Sequence, residues 1–123
     1  SASDVYKRQV YEFAEFRLDV KKQRLSRSGE VISLPPKAVE LLILMVENQG
    51  RLLEKDEIIN NLWHDTFVEE ANLTQTIYLL RKALGDSKQG EPHIKTVPKR
   101  GYKFVPPVQK IPHSDVSLTI ERT

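Results

Sequence analysis

The chain has no cysteine, which excludes disulfides, thiolate nucleophiles and cysteine-ligated zinc. That absence is compatible with a reducing cytoplasm. Glycine occurs five times and never as a phosphate-cradling loop, and no nucleophile motif accompanies the serines. The three histidines, His64, His93 and His113, are scattered without metal-site spacing. No apolar run approaches the roughly 20 residues of a bilayer-spanning helix, and no secretory signal opens the sequence. These gaps leave no catalytic constellation: the expectation is a non-enzyme with no metal, no cofactor and no small-molecule substrate.

What is present is a chain of 123 residues, 39 % hydrophobic and 29 % charged, the profile of one soluble globular domain. Its net charge of +2 hides a strong asymmetry. From Glu40 to Ala71 there are eight acids and two bases, and from Asn72 to Lys103 seven bases and two acids. A local balance of −6 is thus followed by +5, and the basic pole is where an anion would bind.

Residues 1–9 lack periodicity and read as a disordered or artefactual tail, and residues 108–123 as a tail or linker. Between them, residues 10–107 read as one domain. It opens with an antiparallel sheet of three or four short strands between Tyr11 and Leu34, with a turn at Ser28-Gly29. Pro35-Pro36 starts a helix that is apolar nearly all round through Val46, so it is the central one, and Gly50 follows its end. A second helix from Lys55 to Trp63 buries Ile58, Ile59, Leu62 and Trp63, with Glu54 as a poor cap.

Residues 73–104 carry the functional signal. At about 100° per residue, Leu73, Ile77, Leu80 and Leu84 form one apolar stripe of a third helix. Gln75, Tyr78 and Lys82 lie opposite, flanked by Thr74, Leu79 and Arg81. An exposed face of amide, phenol, hydroxyl and cation suits base edges and phosphates better than a core. A hairpin follows, Thr96-Val97-Pro98-Lys99-Arg100-Gly101-Tyr102-Lys103-Phe104, with a basic tip at which Gly101 is expected to permit the tight turn. Tyr102 and Phe104 alternate as anchors of that hairpin. Arg81 is equally suited to a phosphate or to an acid of the domain, and Tyr78 to covering the core while its hydroxyl reaches DNA.

Four motifs in order resemble one family. Leu34-Pro35-Pro36-Lys37-Ala38-Val39-Glu40-Leu41-Leu42 resembles the first helix of OmpR/PhoB-type regulator domains, and Leu62-Trp63 the end of their second. Leu80-Arg81-Lys82-Ala83-Leu84-Gly85 resembles the end of their recognition helix. The Pro98-Lys99-Arg100-Gly101-Tyr102 wing looks most like the ToxR/CadC-like branch, in which the DNA-binding domain comes first in the chain. The resemblance implies an α+β winged helix-turn-helix: an N-terminal antiparallel sheet, three helices and a C-terminal β-hairpin wing. It further implies a cytoplasmic bacterial transcription regulator, with room for a longer, membrane-anchored chain extending from the C-terminus. The helix of residues 71–84 would enter the major groove of double-stranded DNA, and the wing of residues 94–105 would touch the adjacent backbone or minor groove. The loop of residues 64–71 would face RNA polymerase, and pairing would occur on tandem DNA sites.

On this reading Asn72, Thr74, Gln75, Tyr78 and Leu79 face the bases, while Thr76, Arg81, Lys82, Lys99 and Arg100 take phosphates or groove edges. Ala71, Tyr78 and Leu79 stand where the family often has arginine, and Pro98 where some members place a wing arginine, so no operator preference carries over. The alternative is a winged-helix protein–protein interaction module, which an acidic or apolar outer face on the third helix would favour. The apolar positions are absorbed by the core, and no heptad seam offers a partner surface. Free in solution the chain is therefore expected to sediment as a monomer; a tight dimer without DNA would contradict this.

Overall fold

The computed structural model describes residues 9–111; of the tails expected at 1–9 and 108–123, residues 1–8 and 112–123 lie outside the described residues. The chain divides into two compact units.

The first unit, residues to Ser33 together with those from Pro107, is an antiparallel sheet. Its strands are β1 (Val10–Phe13), β2 (Phe16–Asp19), β3 (Arg24–Arg27), β4 (Glu30–Ile32) and β8 (Gln109–Ile111), in the order β4-β3-β2-β1-β8. The pairings Phe13↔Phe16 and Leu18↔Leu25 set one apolar face. All four side chains are buried, and the two phenyl rings stack at 5.4 Å. Glu12 and Arg17, paired on the opposite face, form an exposed ion pair at 3.2 Å. The turn expected at Ser28-Gly29 joins Arg27 to Glu30. Its two central residues have φ of 51° and 84°, the left-handed pair of a type I′ hairpin. One strand went unforeseen: Gln109–Ile111, expected to belong to a tail, pairs with β1 from Val10↔Ile111 to Glu12↔Gln109. Three residues past a double proline give too little alternation to announce a strand.

The second unit, Leu34–Pro106, holds α1 (Pro36–Glu47), β5 (Leu52–Glu54), α2 (Lys55–Leu62), α3 (Glu70–Leu84), β6 (Ile94–Val97) and β7 (Gly101–Phe104). Pro36 occupies the first turn of α1, where its missing N–H costs nothing, and the amides of Ala38 and Val39 donate to the Pro35 carbonyl. As its all-round apolarity requires, α1 is central, packing on α2, α3 and β7. Gly50 follows its end with φ of 83° and donates its N–H to the Phe104 carbonyl. In α2, Ile58 and Leu62 are buried as expected, but Ile59 and Trp63 are only half-buried. Lys37 explains the tryptophan: its ammonium lies 5.9 Å from the ring centre, donates to the Leu62 carbonyl and pairs with Glu40 at 3.1 Å. Glu54 caps α2 without a side-chain bond, the poor cap read from the sequence.

The sequence offered no sign of β5, again three residues long, which completes a sheet in the order β5-β7-β6. The register Leu53↔Tyr102 and Glu54↔Gly101 assigns a different role to Gly101. It is not the turn glycine; it lies buried in β7 where a Cβ would sit 2.0 Å from the Leu53 carbonyl oxygen. The left-handed residue of the turn is Lys99, with φ of 66°. Gly101→Ala should therefore cost about 2–4 kcal/mol, since backbone rather than a flexible side chain blocks the methyl. Gly29→Ala meets no atom within 4 Å and should lose only about 1 kcal/mol, through its positive φ. Urea denaturation of both variants measures the difference.

Candidate nucleic-acid interface

α3 begins after Glu69, an N-cap without a side-chain bond, and ends at Gly85, whose φ of 67° carries the chain out of the helix. Leu73, Ile77, Leu80 and Leu84 are buried along the stripe that the sequence periodicity marks. Opposite them Ala71, Gln75, Tyr78 and Lys82 are exposed, with Asn72 and Thr74 exposed on the flanks and Leu79 half-buried. Tyr78 is 57 % exposed, so its ring faces outward instead of covering the core. The Thr74 hydroxyl donates to the Glu70 carbonyl at a long 3.4 Å, which leaves it available to a better acceptor.

Two residues assigned to phosphate have other duties. Thr76 is buried, and its hydroxyl donates to the Asn72 carbonyl at 2.7 Å, which satisfies the oxygen inside the apolar stripe. Among the described residues Arg81 pairs with no acid. Its Nη2 donates to the Ile94 carbonyl at 2.8 Å and to the Thr96 hydroxyl at 2.7 Å, and its guanidinium lies 5.8 Å from the Tyr102 ring centre. Arg81 therefore ties α3 to the hairpin.

The hairpin turns at residues 98–100, closed by the Arg100 amide donating to the Val97 carbonyl at 3.0 Å. Proline in second place and a left-handed residue in third is the pattern of a type II turn, here with Lys99 where glycine or asparagine would be at ease. The strain holds the lysine at the tip. Arg100 beside it is exposed and approaches Glu54 at 3.6 Å. Two further cations were not singled out from the sequence. Lys95 and Lys103 are direct partners across β6 and β7 on the same face of the sheet, an arrangement that costs stability unless an anion lies nearby. Strand alternation placed Lys103 opposite Tyr102 and Phe104; its pairing with Lys95 needed the register. Among the described residues Lys82, Lys95, Lys99 and Lys103 form no ion pair.

Other acids are held by cations of the scaffold or stand on the loop before α3. Arg51 grips Glu57 through two contacts, 2.7 and 3.3 Å, and holds its carboxyl below the usual range by hydrogen bonding. Lys55 pairs with Glu70 at 2.8 Å, joining the first residues of α2 and α3, and that hydrogen bond raises the lysine's pKa. Between these helices, the loop of residues 64–69 presents Phe67, 92 % exposed, beside Asp65 and Glu69. Among the described residues no cluster of His, Asp and Glu could hold a metal, and no helix is long and apolar enough to cross a membrane.

A recognition-type helix joined to a basic hairpin is the arrangement of a winged helix-turn-helix. A family model described as "Transcriptional regulatory protein, C terminal" matches residues 29–104. The chain belongs to this family. The domain is of the OmpR/PhoB type, and its α+β architecture is that of the family's DNA-binding domains. It is similar to the transcriptional activator CadC of Escherichia coli, 41 % identical over 86 residues that cover 69 % of this chain and 17 % of CadC. It is also similar to the cholera toxin transcriptional activator of Vibrio cholerae, 31 % identical over 86 residues, 68 % of this chain and 29 % of that protein. The chain thus spans under a third of the length of either relative. Among solved structures, the DNA-binding domain of E. coli CadC superposes with a TM-score of 0.75 at 35 % identity, covering 85 % of this chain and 99 % of that one. The DNA-binding domain of CpxR from E. coli gives 0.70 at 26 %, covering 78 % and 95 %.

The turn geometry of this family member can be tested apart from any ligand. Lys99→Gly relaxes a left-handed residue and should leave stability unchanged or raise it by up to about 1 kcal/mol. Lys99→Val sets a β-branched side chain there and should lose about 1–3 kcal/mol. Thermal unfolding reads both.

Proposed function

We propose that this chain is the sequence-specific, double-stranded DNA-binding module of a bacterial transcription regulator, a binding device with no catalytic step of its own. α3 enters the major groove, and the wing of β6 and β7 lies on the adjacent backbone or minor groove. One observation carries this reading. Among the described residues Gln75, Tyr78 and Lys82 on the outward face of α3 make no side-chain bond within the domain, and Arg81 ties that helix to a hairpin whose lysines form no ion pair. Fifteen residues at about 1.5 Å each make a helix of roughly 22 Å, and the groove is about 12 Å wide, room enough for it. Asn72, Thr74, Gln75, Tyr78 and Leu79 meet base edges, and Lys82, Lys99 and Arg100 meet phosphates, with Lys95 and Lys103 extending that basic track. Thr76 and Arg81 drop out of the contact set and act as supports.

The acidic loop between α2 and α3 repels phosphate and is assigned to RNA polymerase, with Phe67 as its apolar contact. Two copies pair on tandem sites rather than free in solution. The regulator works in the cytoplasm, on its own or as the cytoplasmic part of a longer chain.

Affinity against salt, on a selected site and on random duplex, tests the assignment. Gln75→Ala removes a base contact and should cost about 1–3 kcal/mol on the selected site and almost nothing on random DNA. Arg100→Ala should weaken both and reduce the salt slope by roughly one. Uniform weakening by Gln75→Ala together with a neutral Arg100→Ala would mean that other elements sit in the grooves. Failure to bind any duplex at low salt would favour a protein-interaction module.

A further inference from the structure

The strongest readers of a G·C pair in the major groove are charged: a cation on guanine O6 and N7, the commonest specific contact, or a carboxylate accepting from cytosine N4, whereas a hydroxyl serves either pair. α3 contains three charged residues, Glu70, Arg81 and Lys82. Glu70 is held by Lys55 at 2.8 Å. Arg81 is held by the Ile94 carbonyl and the Thr96 hydroxyl. Lys82 is exposed but stands in the last turn, whereas recognition helices contact bases with their N-terminal residues. Glu69 precedes the helix, at its N-cap.

What the first turns offer is uncharged: Ala71, Asn72, Thr74, Gln75, Tyr78 and Leu79. The amides of Asn72 and Gln75 match adenine N6 and N7, and the aliphatic groups of Ala71, Thr74 and Leu79 match the thymine methyl. We propose that α3 selects A·T pairs in the major groove, because its charged side chains are either bound within the domain, as Glu70 and Arg81 are, or confined to its last turn, as Arg81 and Lys82 are. This rests on the DNA-binding reading above. It makes specificity in part a consequence of internal bonding: Glu70, in the first turn, would be open to cytosine N4 if Lys55 did not hold it.

Selection of the 123-residue chain's sites from a random duplex library, followed by binding to the selected duplex with every thymidine replaced by deoxyuridine, tests it. The substitution removes methyl groups from the major groove alone, so it separates α3 from a wing that prefers narrow A·T-rich minor grooves. A·T-dominated sites and about fourfold weaker binding per contacted methyl are expected. Leu79→Arg, which adds a free guanidinium to the reading face, should move the selected site toward G·C at one step. G·C-dominated sites, or deoxyuridine duplexes bound as tightly as the parent, would overturn the proposal while leaving DNA binding intact. Absence of binding to every duplex at low salt would instead remove the reading beneath it.

Discussion

A single guanidinium couples the third helix to the hairpin of this winged helix-turn-helix. Arg81 comes from the last turn of α3, yet its bonds end on β6, at the Ile94 carbonyl and the Thr96 hydroxyl, under the ring of Tyr102 from β7. Arginine suits this task because its planar fork presents several donors at once and its faces stack on aromatics. Lysine would offer a point charge with no fixed plane. Helix and hairpin are thereby set to one spacing, which on the proposed reading would match the fixed distance between groove and backbone. Gly101 supplies the second constraint: without a Cβ it lets β5 close on β7, so the hairpin is rooted in a three-stranded sheet.

Charge is arranged with the same economy. Acids that would oppose an anion are bound to cations of the scaffold, Glu57 by Arg51 and Glu70 by Lys55. The lysines of the hairpin are left facing one another. Like charges opposed across a strand pair work against folding, and their retention on one surface is the mark of a protein that gives up some stability to keep a binding potential in place.

The helices were legible because their apolar periodicity is a property of contiguous residues. Leu73, Ile77, Leu80 and Leu84 announce which side of α3 is buried, and Pro35-Pro36 and Gly50 bracket α1. What escaped detection depends on residues distant in sequence. β5 and β8 are too short to show alternation and exist because β7 and β1 pair with them. Gly101 reads as a turn glycine until its partner strand is known, and Arg81 reads as a phosphate ligand until the register of β6 sets two acceptors before it. The burial of Thr76, expected at a phosphate, has a local reason. A threonine inside an apolar stripe satisfies its hydroxyl one turn back, at the Asn72 carbonyl, and so needs no external partner. Of the outward residues, Gln75, Tyr78 and Lys82 were fixed by helical geometry alone.

The strand β8 has a mechanical consequence. After the hairpin the chain crosses Pro106-Pro107 and pairs with β1, Val10 opposite Ile111. Tension applied to the chain past Ile111 would therefore meet the rungs of the β1–β8 ladder before it reached β7. Such a load would be taken up at a sheet edge, on rungs that neither α3 nor the hairpin contributes.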